Sequence, residues 1–312
     1  MKLRKPNLSL NRFTKRFIFV LCVTAIALHT SSCKEANSQE ELKHNQPQLE
    51  KKEEENNRTL ENAACITIAS WNIANLGQSK DATEIQVMAQ SLKDFDIVAV
   101  QEVVASAPGS QAVAKLDDAL DRTGAKWDYV ISNETGGTGT ERYAYLYKTA
   151  KVSVVGKPTL AGDLAYSIDR EPFLCEFKTA QGNFFLASLH AVPESKFPET
   201  EIQQLHILDE KFEDKNLLIM GDFNCIHTNT AFSNLRNRGM KETFFKEKTT
   251  LKMKPNAQGE YKANCFDNIW YEADEMTVGQ KGVVDFTSCC VDVATARKIS
   301  DHLPVWACFT LK

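Results

Sequence analysis

The sequence predicts an α/β domain over residues 63–312, with β-sheets packed face to face and helices covering the outside. Three observations predict it. Apolar runs of strand length alternate with stretches whose apolar residues fall at helical spacing. Several strands follow one another in the manner of hairpins, with no helix between them. One run, Leu217-Leu218-Ile219-Met220, is apolar at successive positions, as a strand buried on both faces must be.

Cys65 to Trp71 alternates apolar residues and is the first strand. Asp81 and Glu84 form an N-cap with its third-residue carboxylate, and Ile85, Met88, Ala89 and Leu92 follow at helical spacing. Asp96 to Glu102 is a buried strand. Ala112, Leu116, Ala119 and Leu120 make a second helix, ended by Gly124. Strands follow near Trp127 to Ser132, Tyr143 to Tyr147, Val152 to Val155, Phe173 to Phe177 and Phe184 to Leu189. Ile202 to Phe212 is a third helix and precedes the Leu217 strand. Later strands fall at Phe266 to Tyr271 and Pro304 to Phe309. The length suits a single domain with a sizeable core.

The residues before this domain read differently. Lys2, Arg4, Lys5, Arg12, Lys15 and Arg16 form a basic region without acidic residues. The apolar core Phe17 to Leu28 is shorter than the roughly 18–20 residues a spanning helix needs. Thr30-Ser31-Ser32-Cys33 then completes a signal-peptide pattern over residues 1–33, whose ending resembles a bacterial lipobox with Cys33 as the lipidated residue. Residues 34–62 are rich in Glu, Lys, Gln and Asn and lack aromatics, the composition of a solvated, disordered tether. The expectation is an exported protein held at a membrane or cell surface by its lipid, or otherwise periplasmic or secreted.

Charge narrows the function classes. The chain carries −4; the basic region contributes six positive charges and the tether three net negative ones, so the domain carries −7. Such a domain does not coat nucleic acid through bulk charge, and any polyanionic substrate must meet local cations. Of nine cysteines, seven lie in the domain: Cys65, Cys175, Cys225, Cys265, Cys289, Cys290 and Cys308. Export permits disulfides, and no C-x-x-C pair suggests structural zinc.

Polar residues collect at strand ends. Asn72 ends the first strand, Gln101-Glu102 the second and His190 a later one. Glu141 starts a strand. Gly221-Asp222-Phe223-Asn224 ends the buried one, where residues two apart point the same way. Asp267 and Ser300-Asp301-His302 sit beside the last apolar runs. Each alone is compatible with an ordinary turn or an exposed pair; together they point to a site. Plainer readings suit other residues. His206 is a helix-surface or packing residue and His227 an exposed loop residue. Asp94 and Asp96 are turn and strand-start residues. Arg170 could equally be a surface partner of Glu171. Phe184, Phe185, Phe244 and Phe245 read as core. Gly136-Gly137-Thr138-Gly139 lacks the Lys-Ser/Thr of a phosphate-binding loop and reads as a flexible connection.

This ordered set resembles the endonuclease/exonuclease/phosphatase superfamily, through Gly-Asp-Phe-Asn together with Ser-Asp-His-x-Pro-Val. It is most similar to the deoxyribonuclease I branch, through Glu141 to Tyr147, Arg170-Glu171-Pro172 and Asn264-Cys265-Phe266-Asp267. The resemblance spans essentially the whole domain. It implies two packed mixed β-sheets flanked by helices, a four-layer sandwich, and metal-dependent phosphoester hydrolysis. It implies His190 and His302 as the catalytic pair, partnered by Glu141 and Asp267. Which histidine is acid and which is base stays open. Glu102, Asn72, Asp301, Asp222 and Asn224 offer hard oxygen ligands, suited to Mg²⁺, Ca²⁺ or Mn²⁺. Arg170, with Asn224, would hold the substrate phosphate. Cys265 matches a family disulfide position, and Cys225, slightly nearer the site strand than usual, is its implied partner. The expected substrate is nucleic acid, DNA foremost, acted on by a monomer. The groove-contacting basic and aromatic positions of deoxyribonuclease I fall on Ala74, Val104 and Gly139, which puts duplex binding of that kind in question. A phosphatase or a phospholipase C-type diesterase acting on inositol phosphates or sphingomyelin is the alternative, and a silent surface-binding protein a third.

Overall fold

The computed structural model describes residues 65–212 and 215–312. The expected signal segment, Cys33 and the tether lie outside the described residues. Two six-stranded sheets form the centre. The first holds β1 (Ile66–Leu76), β2 (Ile97–Val104), β3 (Trp127–Ile131), β4 (Glu141–Lys148), β11 (Met276–Val283) and β12 (Val305–Leu311), in spatial order β11-β12-β1-β2-β4-β3. The second holds β5 (Ser153–Leu160), β6 (Phe173–Thr179), β7 (Gly182–His190), β8 (Leu217–Asp222), β9 (Met240–Glu242) and β10 (Asp267–Glu272), in order β5-β6-β7-β8-β10-β9. Each sheet has one parallel pair, β1 with β2 and β7 with β8; the other pairs are antiparallel. Helical crossovers join both parallel pairs, as parallel strands require.

Helices α1 (Ala82–Leu92), α2 (Ala107–Asp121) and α6 (Val293–Ile299) cover the first sheet. The short helices α3 (Glu199–Ile202), α4 (His206–Lys211) and α5 (Ser233–Asn237) cover the second. The expected four-layer sandwich is the architecture found. The alternation within β8 shows why its apolar run is continuous. Leu218 and Met220 face the core between the sheets, while Leu217 and Ile219 face the helices. The capping box of α1 forms as read: Glu84 N donates to Asp81 Oδ1 at 2.8 Å, and Asp81 N to Glu84 Oε2 at 3.0 Å.

Some elements differ from the sequence reading. The helix expected over 202–212 is broken between α3 and α4. The Gln203 carbonyl there accepts from the His206 ring at 2.7 Å and from Asn234 Nδ2 at 3.0 Å, so it does not continue the helical ladder. Strands β9 and β11 and helix α6 were not legible. β9 has three residues, and β11 is a polar, glycine-interrupted strand at a sheet edge. Phe245 is half exposed rather than core, and His227 is buried rather than exposed.

The expected Cys225–Cys265 bridge does not form; both thiols are free. Cys225 is packed in the apolar cluster beneath the helices of the second sheet, whereas Cys265 lies partly exposed in the loop before β10. Burial pushes both thiols up, Cys225 to about 11. Among the described residues the disulfide that forms is Cys65–Cys308, with its Cα atoms 5.6 Å apart. It clamps the start of β1 to β12 and closes almost the whole domain into one loop. Long closed loops restrict the unfolded chain most, so a Cys65→Ala/Cys308→Ala variant is expected to lose about 2–4 kcal/mol. Urea unfolding under non-reducing conditions measures this; an unchanged midpoint would show that the clamp carries no stability.

Candidate active site

The site follows from strand register. In the second sheet His190 pairs with Asp222 across the parallel β7/β8 ladder, and Asp222 pairs with Asp267 across β8/β10. Parallel β7 and β8 end together, and antiparallel β10 begins at that same edge. Three ionisable groups therefore stand side by side at one sheet end. Gly221 permits this crowding: a Cβ there would lie 1.8 Å from the Leu189 carbonyl, and its φ of +142° suits only glycine. The first sheet brings Asn72 from β1, Glu102 from β2 and Glu141 from β4. The β2/β4 register shifts between Val100 and Val103, and Glu102 inside that irregularity takes a φ of 58°. A bulge of this kind re-aims a side chain, here the Glu102 carboxylate.

The two histidines are held alike. His190 Nδ1 lies 2.9 Å from Glu141 Oε2, and His302 Nδ1 lies 2.8 Å from Asp267 Oδ2. Each carboxylate fixes its ring with Nδ1–H as the donor and leaves Nε2 to the site. Both Nε2 atoms converge on Asp222 Oδ2, His190 at 3.5 Å and His302 at 3.4 Å. Burial disfavours charge on His302, but Asp267 and Asp222 outweigh it and raise the ring to about 10. Burial opposes His190 as well, and Glu141 and Asp222 still raise it. Asp222 is held below its ordinary value, because the two histidines outweigh the burial that would raise it.

Asn72 ties the sheets together. Its Nδ2 donates to Glu102 Oε1 at 3.0 Å and to Asp222 Oδ2 at 3.1 Å. Its backbone carbonyl accepts from Ser300 Oγ at 2.6 Å, and Ser300 Oγ accepts from His302 N at 2.9 Å. Asn224 takes a φ of 47°, and its Nδ2 donates to the Ala191 carbonyl at 3.0 Å. Arg170 is buried with Glu171 rather than on the surface. Its Nε and Nη2 donate to the carbonyls of His190 and Ala191 at 2.8 and 2.5 Å, and Nη1 lies 3.7 Å from Glu141 Oε2. Arg170 thus braces the His190 strand end, and only the Nη1 side of its fork is left for a phosphate. Asp301 stands at the rim, paired with Arg297 Nη2 at 3.2 Å, and its charge adds to the field that raises His302.

A cavity of about 470 Å³ opens beside this centre, lined in part by Glu102, Glu141, Arg170, His190, Val104 and Gly139. Asp222, Asp267 and His302 form an acidic and histidine group close enough to hold a cation. His302, however, is already bonded to Asp267, and Asp267 with Asp222 favours its protonated form, which makes it a poor ligand. The better donor set is the carboxylate pair Glu102 and Asp222, with Glu102 facing the cavity; Asn72 presents Nδ2 to both, and its Oδ1, which accepts from Ala74 N at 3.1 Å, would join them once the amide turns. Hard divalent cations fit such donors.

Several supporting residues were missed in the sequence. Gln101 reads as exposed beside Glu102, yet it is fully buried, and its Nε2 spans the sheets to Ser188 Oγ at 2.8 Å and Ser70 Oγ at 3.2 Å. Its place in a wholly apolar strand was the available signal. The loop 136–139, read as flexible, is held by carboxylates. Asp169 accepts from Thr138 N and Gly139 N at 2.8 and 2.9 Å, and Glu171 accepts from Gly136 N at 2.8 Å. Glycine at 137 lets the loop approach this closely, since a Cβ would meet the Asp169 carbonyl at 1.9 Å. Glu201 accepts from Asp169 N and Val192 N at 2.7 and 2.8 Å, bracing both chain segments behind Arg170 and His190. Nothing in its local sequence marked it.

Comparison with known proteins identifies the family of this chain. The model of the Endonuclease/Exonuclease/phosphatase family matches residues 69–302. A deoxyribonuclease of Thioalkalivibrio sp. (strain K90mix) is 28% identical over 79% of this chain and 71% of its own. An endonuclease/exonuclease/phosphatase family protein from Bacteroides thetaiotaomicron superimposes with a TM-score of 0.58 at 18% identity, over 78% of this chain and 97% of that one. A mannosyl-6-phosphatase of the same organism superimposes with a TM-score of 0.57 at 18% identity, over 78% and 99%. The family match extends from the middle of β1 to His302, and the chain belongs to the endonuclease/exonuclease/phosphatase family.

Proposed function

We propose that this protein is an exported, divalent-metal-dependent endonuclease that hydrolyses DNA through its two carboxylate-backed histidines. The carrying observation is the convergence of His190 Nε2 and His302 Nε2 on Asp222, each ring with its own carboxylate behind it. Phosphodiester hydrolysis needs a proton acceptor for water, a proton donor for the leaving oxygen, and relief of phosphate charge. A pair of oriented imidazoles serves the two proton roles. His302, raised to about 10, also places positive charge in a domain that is otherwise negative, where an anionic phosphate would be drawn. Glu102, Asn72 and Asp222, with Asp301 and Asn224 at the margin, would hold a Mg²⁺, Ca²⁺ or Mn²⁺ ion, which supplies Lewis-acid relief of phosphate charge when bound. The free side of Arg170 faces the same cavity. The likeness to a deoxyribonuclease supports DNA as substrate. The N-terminal signal pattern supports export, with Cys33 as the site of a lipid anchor.

A second reading has its own observation. Val104 and Gly139 line the cavity where groove-binding basic and aromatic groups would stand, so a smaller phosphoester would meet no missing contact. A panel of plasmid, single-stranded DNA, RNA, a sugar phosphate, inositol phosphates and sphingomyelin, each with Mg²⁺, Ca²⁺ or EDTA, separates the readings. DNA cleavage with metal and none in EDTA is the expected result. Turnover of a non-nucleic substrate with no action on any nucleic acid would overturn the nuclease reading.

A further inference from the structure

The catalytic centre uses none of the free thiols, and two of them stand together. Cys289 closes a short 3-10 turn, Phe286–Cys289, and Cys290 follows it in extended conformation. Their Sγ atoms lie 3.0 Å apart. Cys289 is exposed, whereas Cys290 is half-buried against the cluster under α1 and α2. Cys175 and Cys225 are buried. The next residues, Val291 and Asp292, leave the pair open to solvent on one side: Val291 is fully exposed, and Asp292 caps α6 through Thr295 N at 2.7 Å.

We propose that Cys289 and Cys290 are a redox pair that closes reversibly to a vicinal disulfide in exchange with a small-molecule disulfide. A bond needs the sulfurs to close to about 2.05 Å, roughly 1 Å nearer than they stand. Neighbouring Cα atoms are about 3.8 Å apart, shorter than the roughly 4.4–6.8 Å that unstrained bridges span. A bridge between adjacent residues is therefore strained and easily reduced, unlike Cys65–Cys308 with its 5.6 Å span. That difference makes one bridge a permanent clamp and the other a labile one.

The step balances without another reactant. Cys289 Sγ, as thiolate, attacks one sulfur of the oxidant disulfide and displaces a thiol. Cys290 Sγ then gives up its proton, attacks Cys289 Sγ in the mixed disulfide, and displaces the second thiol. Two protein thiols become one disulfide, and the oxidant disulfide becomes two thiols. The order follows from access: Cys289 meets solvent first. Burial and the contact with Cys289 push the Cys290 thiol up to about 12, so Cys290 is not the first to attack. The turn also reaches the active centre. Phe286 packs on Trp71 with ring centroids 5.2 Å apart, and Trp71 Nε1 donates to the His302 carbonyl at 2.8 Å.

Trypsin releases both cysteines on one fragment, residues 282–297, with no other cysteine in it. The intact protein is equilibrated across a series of reduced and oxidised glutathione buffers, blocked with a maleimide, digested and weighed. The expected fragment is unlabelled and two hydrogens lighter at the oxidising end, and doubly labelled again when reducing buffer is restored. Double labelling throughout, while Cys65–Cys308 is already closed, would overturn the proposal, as would a fragment cross-linked to another peptide. A Cys290→Ser variant is expected to accumulate the glutathione adduct on Cys289, since the resolving thiol is gone. No adduct on Cys289 in that variant would also overturn it.

Discussion

Replacing His190 or His302 by alanine is expected to lower the hydrolytic rate by roughly a hundredfold or more, the usual scale for a general acid or base. The expectation rests on geometry that is equal for both rings. Each has Nδ1 locked by a carboxylate and Nε2 aimed at Asp222, so neither is a spectator. The losses should not add in the double variant, because two groups serving one transfer act as a unit. Substrate affinity should fall less than turnover, since backbone-bound Arg170 and the Glu102–Asn72–Asp222 set remain. The measurement is kcat and KM on the substrate found by the panel, with folding checked by circular dichroism. Near-normal turnover in either single variant would remove that histidine from the mechanism.

Glu141→Gln offers the finer comparison. The introduced amide could keep a hydrogen bond to His190 Nδ1 but not the charge that raises that ring. The Glu141 carboxylate also accepts from Glu102 N at 3.2 Å and lies near Arg170, so its charge organises both neighbours. Its role is to position and charge the ring behind the reacting atoms.

The parts legible in the sequence were those where one residue meets one physical demand. The apolar run Leu217 to Met220 had to be buried on both faces, and Asp81 with Glu84 had to start a helix. Both hold. The strand-end residues were legible as a set because the register of three strands makes them neighbours. His190, Asp222 and Asp267 are paired by the ladder itself. What stayed hidden depended on partners distant in sequence. Gln101 gains its meaning from Ser188 on the opposite sheet, and Glu201 from the backbone of Asp169 and Val192. The same holds for the disulfide. Cys65 and Cys308 are joined because β1 and β12 are neighbours in the sheet, which no local pattern announces. Arg170 was picked out through the family resemblance, but its binding to the carbonyls of His190 and Ala191 needed the fold.

Asp267→Asn is expected to destabilise the metal-free protein by about 3–5 kcal/mol near neutral pH, the scale for removing one partner of a buried ion pair. Asp267 is almost wholly buried, and its Oδ2 holds His302 Nδ1 at 2.8 Å. Burial raises the Asp267 carboxyl above its ordinary value, with His302 opposing the rise; asparagine keeps the shape and removes the charge, so the buried imidazolium loses its nearest partner and its pKa falls. The folded ring titrates at about 10 against an ordinary 6.5, so folding favours the protonated form. Its contribution is complete below 6.5, where folded and unfolded chains both hold the proton. It declines above that, as the unfolded chain releases its proton, and is lost as the pH rises through about 10. The stability gap between wild type and variant should therefore be widest above the raised titration of Asp267 and narrow towards alkaline pH. Urea unfolding in EDTA near pH 6 and again near the folded value of about 10 reads this directly. A gap of equal size at both would mean that His302 is not held as a cation, and that Asp267 stabilises the fold through its hydrogen bond alone.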